Sequence, residues 1–150
     1  MDYRVELKHV ATTPLLVLQL RATQPQLSTV VPHACGVVWD FVRRSGIDSA
    51  GRHVAVYLNA NIDLEVGVEV GADAAGGGDV FRSATPAGLV ATTAHIGSYA
   101  RLGEAHDAVL QWCTDHQHPL AGPSWEVYGH WNEDPAQLRT DVFYLLNARP

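Results

Sequence analysis

The tripeptide Ala55-Val56-Tyr57 returns as Glu126-Val127-Tyr128, 71 residues further on, and the same offset carries Ala34 to Ala105, Val38 to Val109 and Phe41 to Trp112. One displacement shared by strand-like and helix-like positions marks an internal structural repeat, with a period too long for a solenoid. The order of expected elements agrees. Tyr3 to His9 alternates as a half-buried strand, and Pro14 opens a buried apolar run, Leu15 to Leu20, with Ala11-Thr12-Thr13 between them as a hairpin connection. Pro32 suits the first position of a helix whose apolar stripe is Ala34, Val37, Val38, Phe41 and Val42, and Gly46 stops it. His53 to Leu58 and Ile62 to Val70 follow as strands, the second with Ile62, Leu64, Val66, Val68 and Val70 inward and Asp63, Glu65 and Glu69 outward. After the midpoint, Val80 to Ala84 and Ala87 to Ile96 read as a strand pair around Thr85-Pro86. Ser98 then caps a helix from Tyr99 to Gln117, carrying Leu102, Ala105, Val109, Trp112 and Cys113 on one face. Strands at 125–131 and 140–146 complete the chain. Strand, strand, helix, strand, strand is thus written twice, over 1–71 and 79–147 of a single domain spanning 1–150. Gly71 to Asp79, with Gly76-Gly77-Gly78 at its centre, is the expected flexible linker. A helix laid on an antiparallel sheet in each half makes the fold class α+β.

Within that frame, Trp125 to Trp131 is the chemically loaded strand. Alternation puts Glu126, Tyr128 and His130 on one side and Trp125, Val127 and Trp131 on the other. A carboxylate among rings is costly to bury without a partner, which points to a cation or polar ligand; an edge strand with Glu126 in water is the alternative. Glu126 stands where the first half has Ala55, so a cleft between related halves would be aromatic on both sides, through Tyr57 and Tyr128, and acidic on one. Trp125 joins such a pocket only if a bulge redirects it.

Other chemistries find little support. A formal charge of −6 with only 10 Lys plus Arg argues against direct nucleic-acid binding. No segment reaches the roughly 18 apolar residues of a membrane span, and a leader pattern is lacking at Met1 to Val5, so the expected location is cytoplasmic. Cys35 and Cys113 read as reduced core residues. His116 and His118 lack metal-ligand spacing and read as surface residues, while His95 reads as structural. Gly76-Gly77-Gly78 lacks the Lys-Ser/Thr of a phosphate loop, and Ser45-Gly46 and Ser98 lack a nucleophile-elbow context, so neither a cofactor nor a metal is expected.

Several short motifs in order carry a resemblance. Pro86-Ala87-Gly88, His95-Ile96-Gly97-Ser98-Tyr99 leading to Leu102, Gly122-Pro123-Ser124-Trp125-Glu126-Val127-Tyr128, and Leu138-Arg139-Thr140-Asp141-Val142 with Tyr144 and Leu146 resemble the C-terminal half of the GyrI-like small-molecule-binding domain. The first half is similar through Val54-Ala55-Val56-Tyr57 and Asp63-Leu64-Glu65-Val66-Gly67-Val68. That family includes the effector-binding domains of bacterial multidrug-responsive transcription activators. The resemblance implies duplicated βαββ (SHS2-like) units, both helices on one side of an antiparallel sheet, and a pocket between the halves. It implies a pocket glutamate at Glu126, with Tyr128, Tyr57, Tyr99 and Trp125 as candidate neighbours, taking hydrophobic, cationic or aromatic small molecules as effector sensor or drug-sequestering protein. It equally leaves open a hydrolase opening strained cyclopropanoid rings of DNA-alkylating natural products, with Glu126 as base and Tyr99 as hydrogen-bond donor, and a gyrase-inhibitor-like protein partner. The regulators' helix-turn-helix has no counterpart in these 150 residues.

Overall fold

A computed structural model describes residues 3–59, 63–130 and 132–147. The expected places of Ile62 and Trp131 therefore lie outside the described residues. The strands are β1 (Glu6–Val10), β2 (Pro14–Arg21), β3 (His53–Tyr57), β4 (Asp63–Glu69), β5 (Phe81–Ala84), β6 (Gly88–Ile96), β7 (Leu120–Tyr128) and β8 (Arg139–Leu146). The helices are α1 (Leu27–Arg44) and α2 (Leu102–Asp115).

All eight strands form one antiparallel sheet in the order β1-β6-β8-β7-β3-β4-β2-β5. Exchanging each element for its counterpart in the other half, β1 for β5, β2 for β6, β3 for β7 and β4 for β8, reproduces that order read backwards. The duplication is therefore a pseudo-two-fold, and its axis crosses the sheet where β3 meets β7.

Two expected hairpins do not form. β1 pairs with β6 rather than with β2, and β5 pairs with β2 rather than with β6. Each half lends its first strand to the edge of the other, a long-range pairing that adjacency in sequence hides. Helix α1 also begins earlier than Pro32. A 3-10 turn at Gln24–Gln26 leads into it, Pro25 occupies the opening turn, and the Thr23 backbone N–H donates to Gln26 Oε1 at 2.8 Å. This local cap satisfies an orphan donor at the true start, so Pro32 falls inside the helix. The stop at Gly46 holds, in the left-handed region at φ 68°. The linker, too, is more than a tether. Ala74 and Val80 are buried with Val38 and Val42 of α1, and the Arg82 guanidinium donates to the carbonyls of Ala72 and Ala74.

The sheet has two different faces. Helix α1 packs Val31, Ala34, Val38 and Val42 against Leu16, Leu64, Val66 and Val68, and α2 packs Leu102, Ala105, Val109 and Cys113 against Ala91, Val142 and Leu146. The opposite face gathers Leu15, Val17, Val54, Val56, Val90, Trp125 and Val127 into a cluster without a helix residue. Strands second and seventh in the sheet contribute to that single cluster, so the sheet curls around it.

Gly67 lies within this curl, between Val17 and Val54 in register, and a Cβ there would collide with the Leu16 carbonyl. A backbone atom cannot swing aside as a side chain can. Gly67→Ala is expected to destabilise the fold by about 3 kcal/mol, whereas Gly36→Ala, in an exposed open position of α1, stabilises it by roughly 0.5–1 kcal/mol. Urea denaturation of the two variants reads both signs.

Candidate functional site

At the seam, Ala55 of β3 faces Glu126 of β7 directly, and these are also the residues matched by the 71-residue offset. The pseudo-two-fold axis therefore passes between them. Helices α1 and α2 lie on this face of the sheet, one to each side, and between them opens a cavity of about 1010 Å³. Ala55 is a small residue where Glu126 places a carboxylate, so the cavity floor is asymmetric although its frame is symmetric.

Glu126 is 5 % exposed, on the fourth of eight strands, which removes the edge-strand alternative. Its Oε1 accepts hydrogen bonds from Tyr57 at 3.0 Å and Tyr128 at 2.5 Å, the repeat-related pair of phenols. Its Oε2 accepts from Nε2 of His106, on α2, at 2.5 Å. The other ring nitrogen of His106 lies 2.6 Å from the Tyr144 hydroxyl. Three donors thus converge on one buried carboxylate, and bonds to an ionised acceptor are the stronger kind. A carboxylate offers about four lone-pair sites. One remains on Oε2.

Of the sequence candidates, Glu126, Tyr128, Tyr57 and Tyr99 all line the cavity. Tyr99 sits in the 3-10 turn before α2, 40 % exposed, its ring edge-to-face with Tyr128 at 5.9 Å. The neighbouring Ser98 cap is as expected, its Oγ accepting from the Ala100 N–H. Trp125 is a correction. It is 3 % exposed in the cluster on the opposite face, stacked on Phe143 at 5.2 Å. The irregularity in β7 lies between Leu120 and Ser124, so regular alternation resumes before Trp125 and turns it away from Glu126.

His106 and Tyr144 were not singled out from sequence as site residues. The signal for His106 was present: it lies four residues after Leu102 and three before Val109, a polar side chain on the buried stripe of α2. Cys35, expected in the core, is half-buried and lines the cavity. His95 is fully buried between the Tyr3 hydroxyl and the Ser98 carbonyl, a structural post. His116, exposed as expected, and His118, half-buried, stack on Trp112.

The electrostatics favour positive charge. Glu126 and Asp107 line the cavity, and among the described residues lining it there is neither Lys nor Arg. Burial, and then the negative charge of Glu126, push the phenols of Tyr57 and Tyr128 far up and that of Tyr144 up to about 12. Burial also raises Tyr99 and lifts the Cys35 thiol to about 11, so both stay protonated. Among the described residues no set of three or more His, Cys, Asp or Glu is gathered to hold a metal. A smaller hollow of about 400 Å³, bounded by Asp40, Arg43 and Arg44, has no apolar lining residue.

No protein-family model matches the sequence, and no curated protein matches it. Solved structures do. The EcmrR C-terminal domain has a TM-score of 0.83 to this chain, covering 99 % of it and 100 % of that domain at 19 % identity. The chain thus has the GyrI-like fold. The same GyrI-like fold is seen in SAV2435 bound to tetraphenylphosphonium, with a TM-score of 0.70, 10 % identity and coverage of 99 % and 95 % of the two chains. A hydrolase from Listeria innocua has a TM-score of 0.62, 9 % identity and coverage of 96 % and 92 %. At such identities the likeness is one of fold. No helix among the described residues is long and apolar enough to cross a membrane.

The raised phenols have a consequence for alkaline stability. A tyrosine whose pKa is higher folded than unfolded stabilises the fold fully below the unfolded value near 10, and this contribution is lost as pH rises through the folded value. Stability is therefore expected to fall between about pH 10 and pH 12 as phenolate absorbance rises, and Tyr57→Phe should make that fall shallower.

Proposed function

We propose that the chain is a receptor for bulky hydrophobic organic cations, taken up between α1 and α2 as an effector sensor or drug-sequestering protein. The observation that carries this reading is a buried carboxylate at the floor of an aromatic cavity whose described lining has no Lys or Arg. A cation there is attracted by Glu126 in a medium of low dielectric constant and by the negative faces of tyrosine rings. Leu27, Val31 and Leu102 supply apolar wall for the hydrophobic part of the ligand. A large delocalised cation loses little hydration on entering such a site. The tetraphenylphosphonium complex of SAV2435, on the same fold, is a chemical precedent for that ligand class.

A second reading is supported by the contact between His106 and Glu126. A carboxylate beside an imidazole, with one lone pair open to the cavity, is a proton-transfer pair, and a hydrolase shares the fold. In this reading Glu126 activates water for attack on a strained electrophilic ring, and Tyr99 donates a hydrogen bond. Formation of ring-opened product that disappears in Glu126→Gln supports it; intact substrate at high protein concentration rejects it.

None of the described tryptophans, Trp39, Trp112 and Trp125, lines the cavity, so calorimetry serves as the probe. Titration with tetraphenylphosphonium should show one site per chain, and Glu126→Gln should weaken it by about 10- to 100-fold, the loss of one charge-assisted contact. Equal binding by the two proteins removes Glu126 from the account.

A further inference from the structure

His106 bridges α2 to the carboxylate at the floor. Its Nε2 lies 2.5 Å from Glu126 Oε2 and its Nδ1 2.6 Å from the Tyr144 hydroxyl, with the imidazole side chain 19 % exposed. Nε2–H donates to the carboxylate in either protonation state of the ring. At Nδ1 a neutral ring accepts from the Tyr144 hydroxyl, and a protonated ring donates to the same oxygen, because a hydroxyl serves both roles. A second proton is thus accommodated by turning one O–H, without moving a heavy atom. The charge at the floor, however, goes from −1 to zero.

The other groups around the ring do not offset that change. Glu126 and Tyr128 face it from β7, Tyr57 from β3 through the shared carboxylate, and Tyr144 from β8. Cys35 of α1 and Tyr99 line the same cavity, and Asp107 follows on the same helix. On β6, beneath α2, His95 is held between Tyr3 and Ser98. Every tyrosine here is protonated at neutral pH, as is Cys35.

We infer that His106 sets the charge the cavity presents, so that proton uptake by its imidazole and capture of an organic cation beside Glu126 exclude one another. The inference rests on the cation-receptor reading and adds a selection rule to it. With the ring neutral the site takes permanent cations; with the ring protonated it takes neutral aromatic molecules of the same size. The coupling is reciprocal: a bound cation must make the ring harder to protonate. His106 acts through Glu126 and is a positioning residue.

Calorimetry with tetraphenylphosphonium and with the neutral triphenylphosphine oxide, at about pH 8 and about pH 5.5, spans the range in which an imidazole titrates. The cation should bind on the order of tenfold more weakly at the lower pH, while the neutral compound should not weaken. Between those limits, cation binding should release a proton, seen as a heat that varies with the buffer's ionisation enthalpy. His106→Gln should abolish the pH slope whatever its absolute affinity. His53→Asn, altering the other cavity imidazole, which burial pushes toward the neutral form, should retain the slope. Should His106→Gln fail to fold, NMR of the His106 ring in the wild-type protein decides: tetraphenylphosphonium should move its titration to lower pH. Cation binding of equal strength at both pH values, a slope surviving in His106→Gln, or an unmoved ring titration overturns this inference and leaves the receptor standing. Absence of cation binding at every pH removes both.

Discussion

A carboxylate at the centre of an eight-stranded sheet is the constraint around which this molecule is arranged. Burying Glu126 without partners would cost several kcal/mol, enough to consume a large part of a small domain's stability. The duplication supplies the solution. Tyr57 and Tyr128 occupy repeat-related places on β3 and β7, so both phenols arrive at the axis, where a single oxygen of Glu126 receives them. Helix α2 adds His106 on the other oxygen, and the first half answers Glu126 with Ala55, which takes up little of the space. A nearly symmetric frame thereby holds one asymmetric charge.

The two faces of the sheet divide the work of stability from that of binding. On the curled face, Leu15, Val17, Val54, Val56, Val90, Trp125 and Val127 form a closed apolar cluster. On the helix face the stripes of α1 and α2 pack on the sheet, and the gap between the helices is lined by tyrosines, polar side chains and an apolar wall of Leu27, Val31 and Leu102. The swapped edge strands tie the halves together, β1 to β6 and β5 to β2, so the seam is not a hinge between independent units. The cavity is consequently a built feature of one body.

Much of this was legible in the residues because it depends on local period and on the offset. Alternation along β7 separated Glu126 and Tyr128 from Trp125 and Val127, and the structure keeps that division. The stripes of α1 and α2 followed from helical spacing. What escaped depended on distant partners. The segments at 11–13 and 85–86 do separate strands as expected but do not close hairpins, since a strand's partner is set by sheet-wide packing rather than by the next strand along. Pro32 drew the start of α1 too late because a proline is a familiar opener, and the cap at Thr23 with Gln26 was the stronger signal. His106 is one of eight histidines, and its place in the site emerges when α2 is laid over β7 and β8.

The place where a cation rests decides whether the cavity is a receptor. Crystals of the protein grown with tetraphenylphosphonium measure this directly, because the phosphorus atom is electron-dense and the phenyl rings fix its orientation. The ligand is expected between α1 and α2, its charge on the Oε2 side of Glu126 and within about 6 Å of the centroid of at least one tyrosine ring. A ligand bound only on the outer surface, with the cavity filled by its own side chains, would contradict it.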